Sequence, residues 1–184
     1  PHAFTLRIAF VLEADGLHQR ITVTNDSTQN MPFALGFHTT FALPFVQGGR
    51  VEDVRLQLGV AEEIVRNMDT FLPTGEVIAA SPLRQDLLQG TLQPCMHTIS
   101  RHFAMDASRE MRLTDMVRGV QLIYRAQPPY AYWMLYNGGN KEFLCVEPQT
   151  WVNNCPNAPF DREKTGFQFL APGESRTYET QLTL

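Results

Sequence analysis

The sequence predicts an all-β fold, a sandwich or barrel of short antiparallel strands. Its 184 residues include 12 Gly and 12 Pro, which interrupt the chain every few residues. Between these interruptions lie short runs rich in aromatic and β-branched residues, and one segment alone has a helical pattern. About ten such runs bounded by turn residues are typical of a sandwich or barrel.

The first two predicted strands form a hairpin. Residues 4–12 and 19–24 are apolar or alternating runs, and the turn sequence EADG at 13–16 separates them. A longer apolar stretch follows at 33–43, interrupted by Gly36 and by a polar His-Thr-Thr sequence. Residues 51–58 alternate and predict another strand, which we expect to lead into a loop.

One helix is predicted, at residues 81–88. Ser81 is placed to cap it, Pro82 occupies the first helical position, and three leucines share one face. Further strands are predicted at 77–80, 99–105, 120–124, 132–136, 143–146 and 178–184, with Asn137 to Asn140 as a hairpin turn. We see no linker, and therefore expect one domain over residues 1–184.

Composition and charge exclude several classes of protein. Nineteen acids outnumber 15 scattered basic residues, for a net charge of −4, which argues against nucleic-acid binding. No apolar stretch approaches the 18 or so residues of a membrane span, so we expect no membrane partner. Three cysteines cannot all pair within one chain, which favours a cytoplasmic location.

Glu147 is the first candidate for chemistry, because it ends the apolar run 143–146 and precedes Pro148. Burial beside apolar neighbours would raise the pKa of its carboxyl towards neutrality, which suits a general base. The alternative is that the strand ends at Val146 and that Glu147 is a solvated loop residue.

His38 is the second candidate. Strand alternation would place it on a small, polar face with Gly36 and Thr40, and the missing side chain of Gly36 would leave a hollow where a ligand could approach. The alternative is a core histidine whose ring bonds to a neighbouring backbone group.

Other kinds of site are disfavoured. Cys95, His97 and His102 lack the spacing of a metal site, so we expect no metal and no cofactor. Cys145 lies in an apolar run, where burial would make its thiol unreactive. Aromatic residues such as Trp151 could provide stacking surfaces for sugar rings.

Four motifs, in this order, resemble the aldose 1-epimerase (galactose mutarotase) family: PFALGFHTTF at 32–41, LPTGE at 72–76, FLCVEPQT at 143–150 and LAPGES at 170–175. The resemblance implies a large antiparallel β-supersandwich and a small sugar substrate. It also implies roles for two residues. His38 would be the general acid at the sugar ring oxygen, and Glu147 the general base at the anomeric hydroxyl.

The same resemblance bears on sugar binding. Ser100 stands where family members tend to have a sugar-binding Asp, with Arg101 or His102 as residues that could compensate. The similarity also begins inside the family domain. We therefore expect the chain to be the C-terminal portion of that domain, truncated at its N-terminus, with the N-terminal remainder as a needed partner and with unpaired sheet edges and exposed apolar surface in its absence.

Three functions follow from these expectations. The first is an isomerase, a mutarotase that interconverts the α and β anomers of a hexose through His38 and Glu147. The second is a carbohydrate-binding β-sandwich module without catalysis. The third is a mutarotase for phosphorylated hexoses, which predicts Arg side chains at the rim of the pocket and has Arg101 as its candidate.

Overall fold

Two six-stranded antiparallel sheets enclose the main core of the protein. The computed structural model describes residues 1–184. Its strands are β1 (Phe4–Glu13), β2 (Gly16–Asn25), β3 (Met31–Phe33), β4 (Thr40–Ala42), β5 (Val54–Leu58), β6 (Val60–Arg66), β7 (Pro73–Ile78), β8 (Ser100–Met105), β9 (Glu110–Asp115), β10 (Val120–Ala126), β11 (Tyr132–Tyr136), β12 (Phe143–Gln149), β13 (Gln168–Leu170) and β14 (Ser175–Thr183). One α-helix, α1 (Pro82–Gln89), and four 3₁₀ turns complete the elements.

The two large sheets share no strand. The first sheet has the order β1-β2-β14-β10-β9-β5, and the second has the order β4-β12-β11-β8-β6-β7. Strands β13 and β3 form a small third sheet. Twenty buried residues from both large sheets and α1 form one core cluster, including Leu113 and Tyr178 of the first sheet and Trp133 and Leu144 of the second. The predicted antiparallel β-sandwich is confirmed.

Helix α1 has the predicted ends. The Ser81 hydroxyl accepts a hydrogen bond from the Arg84 backbone N–H at 3.1 Å, and Pro82 begins the helix. Gly90 ends it with a φ of 71°, in the left-handed region that glycine adopts without a steric cost. Leu87 is fully buried in the core. Neither α1 nor any 3₁₀ turn is long and apolar enough to cross a membrane.

Four strands were missed by the sequence patterns: the three-residue strands β3 and β13 and the longer strands β6 and β9. The loop expected after residue 58 is strand β6, in which the pairing with β8 shifts register between Val60 and Glu63. An irregularity of this kind breaks the period-2 alternation by which a strand is recognised. Strand β9 has just two buried apolar residues, Met111 and Leu113, among charged neighbours. Strand β12 also continues past the predicted end at residue 146, to Gln149.

Strand β1 is the edge of the first sheet and has an exposed apolar face. It pairs with β2 over its whole length, as the predicted hairpin requires. Its alternate side chains are large, apolar and between 48% and 82% exposed: Phe4, Leu6, Ile8, Phe10 and Leu12. Such a continuous apolar strip is unusual on a protein surface and favours association with other apolar groups.

Candidate active site

Strand β12 holds Glu147 on the face of the second sheet that points away from the main core. Leu144 and Val146 point into the core, so alternation places Cys145 and Glu147 on the opposite face. Glu147 is 8% exposed and lies opposite Met134 of β11. It is therefore a buried strand residue, and the alternative of a solvated loop carboxylate is wrong.

Two backbone hydrogen bonds hold His38 beside this carboxylate. The Phe37 N–H donates to the Pro148 carbonyl at 3.1 Å, and the Val146 N–H donates to the Thr39 carbonyl at 3.0 Å. The segment between these bonds runs alongside β12 at the level of Glu147. As a result, His38 Nε2 lies 3.3 Å from Glu147 Oε1. The His38 side chain is 70% exposed, so it is not the core histidine of the alternative interpretation.

The surroundings of His38 differ from the prediction in one respect. A Cβ on Gly36 would lie 3.0 Å from Gln149 Cγ and 3.4 Å from the Pro148 carbonyl oxygen. The absent side chain therefore allows close contact with β12, and the predicted ligand hollow is wrong. Residues 37–39 also lie outside any strand, since β4 begins at Thr40.

Burial dominates the electrostatics of Glu147. It raises the pKa of the carboxyl above its ordinary value of 4.5, while the charge of His38, the Gln149 side chain and the charge of Arg66 oppose the shift. A carboxylate with a raised pKa is a stronger base than one in water, and its imidazole neighbour can donate a proton. The pair thus has the two groups that proton transfer at one reacting centre requires.

Cys145 is the third chemical group at this position. It is buried, its pKa is raised by that burial, and Thr40 Oγ1 lies 3.3 Å from its Sγ. His38, Cys145 and Glu147 each place one potential ligand atom within 4.8 Å of the others. These are the residues that could hold a transition metal, although a thiol must lose its proton to become a ligand.

Ser100 and Arg66 lie farther along the same face. Ser100 is opposite Tyr136, whose other neighbour across the sheet is Cys145. Arg66 Nη2 donates to Ser100 Oγ at 3.0 Å. Sequence reasoning missed Arg66 because it belongs to β6, where the sequence predicts a loop. The LPTGE motif that follows it was the available signal, since β7 begins within that motif and pairs with β6.

Arg101 does not join this group. It precedes His102 and follows Ser100 in β8, so alternation directs it to the other side of the sheet. There its Nη1 lies 3.2 Å from Oε1 of the buried Glu63. The prediction that Arg101 contacts the sugar is therefore wrong, and Arg66 takes its place as the arginine on the candidate face.

His102 lies on the candidate face but is completely buried. Its ring packs 5.5 Å from the Tyr132 ring, and neither ring nitrogen has a hydrogen-bond partner. Burial lowers the pKa of His102 to about 3, so the ring is neutral at physiological pH. It supports the floor of the site, and the prediction of direct sugar contact is wrong. Trp151 is half-buried two residues beyond β12 and stays a predicted stacking residue.

Fold and site together define an antiparallel β-sandwich in which an exposed histidine contacts a buried carboxylate, on the sheet face opposite the core. The family model for aldose 1-epimerase matches residues 1–183. The chain therefore belongs to the aldose 1-epimerase family.

Individual relatives and solved structures are also similar to this chain. The uncharacterized protein YphB of Escherichia coli strain K12 is 26% identical over 181 residues, which are 95% of this chain and 58% of that protein. A crystal structure of a galactose mutarotase-like protein from Clostridium acetobutylicum has 28% identity and a TM-score of 0.93, covering 98% of this chain and 56% of its own. An aldose epimerase homologue from C. elegans shares the fold at 18% identity, with a TM-score of 0.74 over 100% of this chain and 60% of its own. The chain thus spans somewhat more than half the length of these relatives.

Proposed function

We propose that the protein is a mutarotase, an isomerase that interconverts the α and β anomers of an aldose. His38 acts as the general acid and Glu147 as the general base. The observation that carries this proposal is the 3.3 Å contact between His38 Nε2 and the buried Oε1 of Glu147. Membership of the aldose 1-epimerase family supports it.

The reaction needs no more than two proton transfers around one carbon. Glu147 removes the proton from the anomeric hydroxyl O1 while His38 protonates the ring oxygen O5, and the C1–O5 bond breaks to give the open-chain aldehyde. Rotation about C1–C2 exposes the other face of the aldehyde. The two residues then exchange roles and reclose the ring as the other anomer. Each positioned group contributes a factor of roughly 10² to 10⁴ in rate.

The closeness of the pair suits this chemistry. The two side chains are in contact, without a gap the width of a sugar ring between them. O1 and O5 are both bonded to C1, so the acid and the base must converge on substituents of a single carbon. The exposed imidazole can swing towards solvent to admit the sugar, while the carboxylate is fixed by the strand.

Polarimetry tests the proposal directly. The chain should accelerate the mutarotation of freshly dissolved α-D-galactose or α-D-glucose, and Glu147→Gln should reduce the rate by about 10² or more. Glu142→Gln is a matched control, because Glu142 is an exposed carboxylate that precedes the same strand. It should retain the wild-type rate.

A binding module without catalysis gives the opposite result. In that case the wild-type protein would bind the sugar, as measured by calorimetry, and the mutarotation rate would equal that of buffer alone. Equal loss of activity in Glu147→Gln and Glu142→Gln would also contradict the assigned role of Glu147.

We also infer that the protein works in the cytoplasm. Cys95, Cys145 and Cys155 are all buried and unpaired, and free thiols of this kind persist in a reducing compartment.

A further inference from the structure

Arg66 is a partly buried cation without a counter-ion. Its Nη2 donates one hydrogen bond to the Ser100 hydroxyl, and no carboxylate forms an ion pair with it. Burial is the main cause that lowers the pKa of this guanidinium, and repulsion by Arg101 adds to it, while the more distant charges of Glu63 and Glu147 act against the shift. A guanidinium has five N–H donors, so most of its hydrogen-bonding capacity is unused.

Most of the other arginines are better satisfied. Those at positions 55, 84 and 109 donate to backbone carbonyl groups. Many of the rest pair with carboxylates: Arg20, Arg101, Arg112, Arg118, Arg125 and Arg176. Removing a charge from water is costly unless an opposite charge or hydrogen bonds compensate. A bound anion would therefore stabilise the charge of Arg66 more than that of the other arginines.

The position of Arg66 connects it with the candidate active site. Strands β12, β11, β8 and β6 are consecutive in the second sheet, so three strand spacings, about 14 Å, separate the backbones that bear Glu147 and Arg66. Both side chains lie on the same face of the sheet, the one opposite the core. Met134 and Tyr136 of β11 and Ser100 of β8 lie between them. A monosaccharide held at C1 by Glu147 would extend across this floor towards Arg66.

Phe71 adds an apolar wall beside the guanidinium. Its φ is 58°, in the left-handed region that bulky residues rarely adopt. The Asn67 carbonyl accepts from the Phe71 N–H at 2.7 Å and holds this conformation. The half-exposed ring lies 5.9 Å from the guanidinium carbon of Arg66. Strain of this kind tends to be kept where a side chain must be presented to a ligand.

We propose that Arg66, Ser100 and Phe71 form a subsite for an anionic substituent of the sugar, either a carboxylate or a phosphate. The inference rests on the proposed mutarotase function and names its substrate class, an acidic aldose. Arg66 and Ser100 donate hydrogen bonds to the anion, and Phe71 packs against the carbon skeleton. A neutral hydroxyl would use a donor but would not form an ion pair with the guanidinium, which is why an anion fits the subsite better.

Anomer exchange measured by NMR on three matched sugars tests this subsite: D-galactose, D-galacturonate and D-galactose 6-phosphate. We expect kcat/KM for at least one acidic sugar to exceed that for D-galactose by about tenfold or more, the factor that one charge-assisted hydrogen bond supplies. Which acidic sugar is faster identifies the anion. The advantage should shrink as salt increases, a measurement that needs no variant.

Three variants make the assignment specific. Arg66→Met should lower kcat/KM for the preferred acidic sugar about tenfold more than it lowers that for D-galactose, while Arg66→Lys keeps part of the preference. Arg125→Met removes a positive charge on the other sheet, where Arg125 pairs with Glu110, and should leave the preference unchanged. A wild-type preference for D-galactose, or equal losses for all three sugars in Arg66→Met, would overturn the proposal.

Binding measurements separate this inference from the proposed function. If no sugar is interconverted but calorimetry detects D-galacturonate or D-galactose 6-phosphate binding that Arg66→Met abolishes, the subsite stands and the mutarotase proposal fails. If D-galactose is interconverted and the acidic sugars neither bind more tightly nor react faster, the mutarotase stands and the subsite fails.

Discussion

His38 and Glu147 are in contact, yet their side chains differ sharply in exposure, at 70% and 10%. The histidine reaches solvent, and the carboxylate is enclosed by the sheet that carries it. Burial is therefore the main influence on the proton affinity of Glu147, and it acts against the charge of its partner. The chemistry of the pair depends on where β12 places a single carboxyl group.

The pH dependence of mutarotation should report this burial. Glu147 must be ionised to act as the base, and its pKa is raised above 4.5, so kcat/KM should fall as pH decreases through a value above 4.5. A pH–rate profile measures this value. An acid limb centred at or below 4.5 would contradict the raised pKa.

Glu147→Gln should lose activity without losing stability. The raised pKa means that the native state binds a proton more tightly than the unfolded chain, so this residue's contribution to stability is present below pH 4.5 and is lost as pH rises through the raised pKa. Glutamine is neutral and of similar size, so the variant should resist urea at pH 7.5 at least as well as wild type. A clearly lower urea midpoint would show that the carboxylate stabilises the native fold.

His102→Phe should make the protein more resistant to acid. The folded-state pKa of His102 is about 3, whereas an unfolded histidine titrates near 6.5, so stability is lost as pH falls from 6.5 towards 3. Between pH 7 and pH 5 the loss is about 2 kcal/mol. Urea unfolding at both pH values should show this loss reduced in His102→Phe and retained in His97→Phe, which replaces an exposed histidine. Equal losses in both variants would contradict the assignment.

The apolar strip on β1 should bind a hydrophobic dye. Phe10 and Leu6 are 64% and 48% exposed, and replacing either with Lys should reduce the fluorescence of bound anilinonaphthalene sulfonate and reduce light scattering at high concentration. The melting temperature should change little, because neither side chain is buried. Val77→Lys is a control on the other sheet, where the valine is 44% exposed. A similar effect of Val77→Lys would mean that the dye does not bind β1.

The sequence alone predicts those elements whose conformation depends on residues close to them in the chain. It predicts the capping residues of α1, the hairpin of β1 and β2, and the turn at Asn137 to Asn140. Turn and cap residues determine the backbone conformation of their immediate neighbours, so a local pattern is enough to recognise them. The proximity of His38 and Glu147 came from a family resemblance, since no local pattern reports a contact between β12 and a segment more than 100 residues earlier.

The errors have physical causes. The sequence predicts a loop in place of β6 because an irregular pairing interrupts the alternation of this strand, which carries Arg66. The sequence predicts Arg101 in the site beside Ser100, but neighbouring residues of a strand point to opposite faces of the sheet. An alignment that is uncertain by one residue therefore cannot tell which of the two faces the site. Gly36 was interpreted as a hollow, whereas the partner that fills it, Gln149, is distant in sequence.

Strand β14 lies between β2 and β10 in the first sheet, although it is the last strand of the chain. Thr24 of β2 bonds to Ser175 of β14 across a separation of 151 residues. A growing chain therefore keeps one edge of β2 and one edge of β10 unpaired until β14 has been synthesised. Assembly of this sheet has a high contact order, which predicts slow folding and a period in which two open edges can pair with the wrong partner.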